Sequence, residues 1–183
     1  ATCEDLLGES YCKCTAGFHG ADCDKTLTAF FFEDFEGDSS GWTLTGEWEI
    51  GPAVPAQCAV QSTDPELDHT PGDGNMTAGT NIGGCASGGV VIGGDHELTS
   101  PAIDLPDAVI LELEFYRWAG FDAPDYWGVY IDVFDGTEWI ELWNTPDAFW
   151  GAGEWAPIVD TFWRKQYGWD LRPYANSEFR IRF

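Results

Sequence analysis

The chain has 183 residues, with 32 acidic against 8 basic side chains and a formal charge of −24. That balance excludes nucleic acid as an ordinary partner, because phosphate binding needs clustered Lys and Arg, and it argues against anionic membrane surfaces. With 44% hydrophobic and 15% aromatic residues the chain is too apolar for a disordered acidic tail, and no apolar run approaches the ~20 residues that span a bilayer.

So much negative charge suits solubility or saline surroundings. It equally suits carboxylates converging on divalent cations, and calcium favours such oxygen ligands. The start at Ala1-Thr2-Cys3 reads as a mature or trimmed end, with no signal peptide in view. Six cysteines fall into two groups: Cys3, Cys12, Cys14 and Cys23 crowd the first 23 residues, while Cys58 and Cys85 stand alone. An even count with dense spacing predicts disulfides, hence an extracellular or cell-surface location. Zinc is the competing chemistry, but Cys12-Lys13-Cys14 is too tight for the usual metal pair, and no CxxC or nearby histidine pair accompanies it.

Residues 12–23 read Cys-Lys-Cys-Thr-Ala-Gly-Phe-His-Gly-Ala-Asp-Cys. The Cys-x-Cys pair, the eight residues before the next Cys and the Gly-Phe-x-Gly turn together resemble the second half of an EGF-like domain, over about 20 residues. The resemblance implies a Cys14–Cys23 disulfide. The family's first cysteines are absent, which leaves Cys3 to Cys12 or to a partner in an upstream segment. Closing a loop of about ten residues stabilises by ~2.7 kcal/mol in the chain-entropy model. Residues 1–25 are thus expected to form a partial EGF-like module, with 26–183 as the main domain.

From Thr26 onward short alternating runs are separated by turn residues. Trp42–Ile50 alternates apolar and polar side chains. Val109, Leu111, Leu113 and Phe115 recur at period two with Glu112 and Glu114 between them, and Val129, Ile131 and Val133 lead to the hairpin signal Asp135-Gly136. Phe179, Ile181 and Phe183 alternate with Arg180 and Arg182. Helical periodicity of any length is absent. The expected class is all-β, an antiparallel β-sandwich or jelly roll.

Four stretches in order resemble the MAM domain and its bacterial MAM-like relatives: Phe35-Glu36 with Gly41-Trp42, then Asp68-His-Thr-Pro-Gly-Asp-Gly-Asn75, then Leu98-Thr-Ser-Pro101, then Leu113-Glu-Phe-Tyr-Arg-Trp-Ala-Gly120. The resemblance covers about residues 30–183 and implies an adhesion-type role through a protein partner or self-association. It departs from the family in lacking the cysteine near the first Gly-Trp and the closing Ile-Asp-Asp type motif. Cys58 and Cys85 appear instead; if paired, their roughly 27-residue closure contributes about 3.5 kcal/mol. The sandwich is therefore expected to be truncated, continued beyond Phe183, or completed by strand exchange with a neighbouring subunit of a surface assembly or filament.

The family resemblance implies that Glu36 and Asp68 share a cation. Asp38, Asp73 and Asn75 lie in the same turn-rich loops, and Asp125 follows the Arg117-Trp118 strand, so these six are the candidate Ca2+ ligands. The alternative is a solvated acidic turn in which Asp and Asn serve as turn formers. Asn75-Met76-Thr77 is also a glycosylation sequon, exclusive with an inward ligand role.

No His-Glu-x-x-His helix, Gly-x-Ser-x-Gly elbow or P-loop occurs, and the expectation is a non-catalytic protein. The alternative function is a carbohydrate-binding module, or an accessory domain of a secreted hydrolase, in which Trp150, Trp155 and Trp163 stack against a glycan.

Overall fold

The computed structural model describes residues 2–6, 9–13, 18–19, 25–26, 29–55, 64–70, 74–84, 96–108, 110–121, 129–144 and 158–183. The chain divides into two compact units, Ala1–Phe32 and Glu33–Phe183. This seam lies a few residues beyond the change of pattern after residue 25.

In the first unit, β1 (Thr2–Leu6) pairs antiparallel with β2 (Glu9–Lys13), and β3 (Phe18–His19) pairs with β4 (Lys25–Thr26). The β1–β2 register sets Cys3 directly opposite Cys12. Opposed residues in antiparallel strands have Cα atoms about 4.5 or 5.5 Å apart, and both spacings fall within the disulfide range. Cys14, Cys23, Cys58 and Cys85 lie outside the described residues.

In the second unit the strands are β5 (Thr43–Leu44), β6 (Trp48–Pro52), β7 (Met76–Thr80), β8 (Leu98–Thr99), β9 (Glu112–Arg117), β10 (Gly120–Phe121), β11 (Tyr130–Phe134), β12 (Trp139–Asn144), β13 (Ile158–Val159), β14 (Arg164–Asp170) and β15 (Arg180–Arg182). Among the described residues a 3-10 turn spans Arg172–Tyr174. All pairings are antiparallel, so the described chain is all-β.

One sheet has five strands in the order β12-β11-β15-β8-β5, while β14-β9, β6-β7 and β10-β13 form pairs. The strand latest in the sequence, β15, is therefore the middle of the large sheet. It bonds β11 on one side and β8 on the other. On this sheet an additional strand has its place at β12 or β5, not beside β15.

The period-two runs explain the core. Ile131, Val133, Ile181 and Phe179 are buried together with Trp42, Leu98, Ile103, Leu105, Leu111 and Leu171. Phe115 of β9 packs edge-on against Phe183 and parallel to Trp169 of β14, so the β9–β14 pair shares this core with the large sheet. The alternate residues carry the outer surface: Arg182 bonds Asp132 and Glu97 and lies over Trp139, and Arg180 lies over Phe134. The β11–β12 hairpin turns at Asp135–Glu138, where Gly136 takes φ +96°. The Asp135 carboxylate accepts hydrogen bonds from the Thr137 hydroxyl and from the Thr137 and Glu138 amides, which hold its pKa below the usual carboxylate range.

Residues 42–50 form two strands rather than one continuous run. The break is at Gly46, which takes φ +63°, and His96 fills the space a side chain there would need. The His96 Nδ1 accepts the Glu47 N–H (3.0 Å), and its carbonyl accepts the Trp48 indole N–H (3.2 Å).

Candidate functional site

The acidic turn at residues 33–36 is built by its own carboxylates. Glu33 accepts the Phe35 N–H (2.8 Å) and the Trp42 indole N–H (2.8 Å), and Asp34 accepts the Glu36 N–H (3.1 Å). Phe35 consequently takes φ +60°, an uncommon conformation for a bulky residue, and packs on Trp42. The strained turn delivers Glu36 away from the core.

The Glu36 carboxylate lies on Gly74 so closely that a Cβ there would collide with it, and it accepts the Met76 N–H at 2.5 Å. Next in the chain, Asn75 is braced at both ends of its amide. Its Oδ1 accepts the Asp68 N–H (2.9 Å) and its Nδ2 donates to the Ala53 carbonyl (2.9 Å), while its own carbonyl accepts the Ala53 N–H (2.7 Å). Asp68 in turn accepts the Thr70 N–H through Oδ2 (3.2 Å). Glu36, Asn75 and Asp68 thus belong to one run of contacts at the mouth of the β6–β7 hairpin, although Glu36 and Asp68 are 32 positions apart (68 − 36).

Their chemistry is uniformly oxygen-donor, which calcium prefers. Among the described residues no donor occupies Glu36 Oε2 or Asp68 Oδ1. Among those same residues no three His, Cys, Asp or Glu side chains gather closely enough to hold a metal ion. Asp73 and Asp125 lie outside the described residues.

Asp38 is placed differently. Its carboxylate accepts hydrogen bonds from Ser40, including the backbone N–H at 3.0 Å, which lower its pKa. That is the bonding of a turn former. The side-chain nitrogen of Asn75, the sequon position, is spent on Ala53.

Two further carboxylates fasten this region. Asp64 accepts the Gly83 N–H (2.7 Å) and Glu49 the Ile82 N–H (2.7 Å), together covering the β7 end where Asn81 and Gly83 have positive φ. Burial pushes the Asp64 pKa up, against the lowering effect of the Gly83 bond. Sequence reading missed Glu33, Asp64 and Glu49, because each acts on backbone amides that no local motif announces.

The loop at 64–70 also reaches β9. His69 stacks on Tyr116 and meets Trp163 edge-on, and Trp163 meets Trp118 the same way. The Trp163 indole N–H donates to the Leu67 carbonyl (2.9 Å). Of the three tryptophans offered for ligand stacking, Trp163 is half-buried and meets His69 and Trp118 edge-on, and Trp150 and Trp155 lie outside the described residues.

Beside this cluster Asp160 is buried, 2% exposed, in the connection between β13 and β14. It accepts the Ala119 N–H and the Arg164 Nε–H and lies 3.5 Å from Arg117 Nε. Glu112 and Glu114 are exposed, on the solvent side of β9 as their alternation predicts. Among the described residues no helix is long and apolar enough to cross a membrane.

No protein-family model, curated protein or solved structure matches the chain.

Proposed function

We propose that the chain is a non-catalytic extracellular module of adhesion type, a partial EGF-like segment followed by a MAM-like jelly roll that binds calcium. The observation that carries the reading is the contact of Glu36 with Gly74 and Met76, next to the Asn75–Asp68 bond. It brings the acidic turn and the Asp-His-Thr loop to one place, as a shared cation requires.

Glu36, Asp68 and, from the adjoining segment, Asp73 would hold the ion, with Asn75 bracing the loop. The ion would neutralise carboxylates that otherwise repel one another and fix the loop that carries Leu67 and His69. In the amino-terminal unit, the opposition of Cys3 and Cys12 supports a disulfide across β1–β2. The family resemblance supports Cys14–Cys23.

Calcorimetric titration of the chelator-treated chain with calcium tests the metal reading. Heat of binding should appear in the parent and vanish in Glu36→Ala and Asp68→Ala. A parent chain that neither takes up calcium nor changes its thermal midpoint in excess chelator sinks it. Sedimentation with and without calcium addresses adhesion: self-association that chelator abolishes is the expected result.

A further inference from the structure

The outer face of the β9–β14 pair borders the candidate calcium site, whose 64–70 loop lays His69 on one face of the Tyr116 ring and leaves that side chain 40% exposed. Glu112, Glu114 and Tyr116 point outward from β9, and Lys165 of β14 lies directly opposite Tyr116. Beyond Lys165 the register shifts by one residue: Gln166 pairs with Phe115 and Trp169 with Leu113, so Tyr167 and Gly168 together face Glu114. Such a bulge re-aims a side chain.

Gly168 takes φ +94°, and a Cβ there would meet nothing within 4 Å. The glycine therefore serves backbone conformation and not close packing. The result is Tyr167 at 69% exposure on the strand beside Tyr116 at 40%.

Between and beyond the rings lie exposed polar pairs. Lys165 Nζ is 2.9 Å from Glu114 and 5.7 Å from the centre of the Tyr167 ring, and Arg172 bonds Asp170 next to Glu112. Glu112, Glu114 and Asp170 set against Lys165 and Arg172 leave this face close to neutral on a chain of charge −24. That charge repels a polyanion, and a polycation finds more negative surface elsewhere. An apolar protein partner would have to strip water from both ion pairs. A neutral polyol meets neither obstacle: its C–H faces stack on the rings, and each hydroxyl can donate to a carboxylate or accept from Lys165 or Arg172.

We infer that the outer face of β9–β14 binds a neutral glycan chain, stacked on Tyr116 and Tyr167 and hydrogen-bonded by Glu114 and Lys165. The stacking rings of this inference are Tyr116 and Tyr167; Trp150 and Trp155 lie outside the described residues. The test is affinity electrophoresis of the full chain in calcium-containing gels cast with a soluble β-glucan, a xylan or a mannan, and with polygalacturonate as the anionic probe. At least one neutral polymer should retard the chain. Tyr116→Ala and Tyr167→Ala should each weaken retardation by about tenfold, the scale of losing one aromatic anchor, while Tyr167→Phe retains it. Circular dichroism confirms that each variant is folded. Retardation by no neutral polymer, by polygalacturonate alone, or undiminished in both alanine variants overturns the inference. Calcium is present throughout; Tyr116→Ala also removes the His69 stack, so Tyr167→Ala is the variant that tests this face apart from the metal reading.

Discussion

Gly74→Ala is the most informative single substitution at the candidate site. The added Cβ falls where the Glu36 carboxylate lies, while Gly74 is not among the positive-φ glycines, so the methyl acts as a wedge without backbone strain. The obstructing group is the tip of an exposed, flexible side chain, which swings away and gives up its bond from Met76. Bonds to charged groups contribute roughly 1.5–3 kcal/mol, and exposure brings this one to about 1. For a unit of 151 residues (183 − 33 + 1) that lowers the midpoint by about 2–4 °C without calcium.

Calcium at a hundred times its dissociation constant should stabilise the parent by about 2.7 kcal/mol, roughly 5–10 °C. If displacing Glu36 weakens binding about a hundredfold, about 0.4 kcal/mol is left, a rise of under about 2 °C. Thermal melts of parent, Gly74→Ala and Glu36→Ala, each with calcium and with chelator, read both quantities. A Gly74→Ala chain that keeps the parent's calcium response while Glu36→Ala loses it would refute the displacement.

Gly46→Ala adds strain at φ +63° to a collision with His96, whereas Gly168→Ala adds strain alone. Melts should find the first costing about 3 kcal/mol and the second about 1–2; equal costs would remove His96 from the account. Asp160→Ala removes the buried carboxylate that Arg117, Arg164 and the Ala119 N–H share and should cost about 1–3 kcal/mol in denaturant unfolding, because the buried Ala119 N–H is left without its acceptor. Asp170 is held at about 2, from an ordinary 3.8, by hydrogen bonds from Arg172. Its folded-state value is depressed, so its contribution is present above the ordinary value and is lost as pH falls from about 4 to about 2. An NMR titration should find its midpoint near 2, returning toward 3.8 in Arg172→Ala.

The alternating runs made the inward and outward sets of β11 and β15 legible, since Ile131, Val133 and Ile181 are buried while Asp132, Arg180 and Arg182 line the other face. Period two reports which face a side chain takes and nothing of which strand lies next to it. The central place of β15 was therefore beyond reach. The break at Gly46 depends on His96, fifty positions away (96 − 46), and no local pattern carries such a partner. At the candidate site the family motifs paired Glu36 with Asp68. The brace through Asn75 was hidden because an Asn in a turn reads alike as ligand, turn former or glycan acceptor. A buried Asp160 was equally hidden, since its composition does not differ from that of a solvated acid.

The position of β15 also sets an order of events. A ribosome releases β8 and β11 well before Arg180–Arg182, yet in the finished sheet those two strands are joined only through β15. Until it arrives, each presents an unpaired edge toward the gap, the arrangement by which strands of separate chains find one another. The large sheet is thus a late, cooperative product of long-range pairing. Its yield during synthesis depends on how quickly three residues close the gap that β8 and β11 leave open.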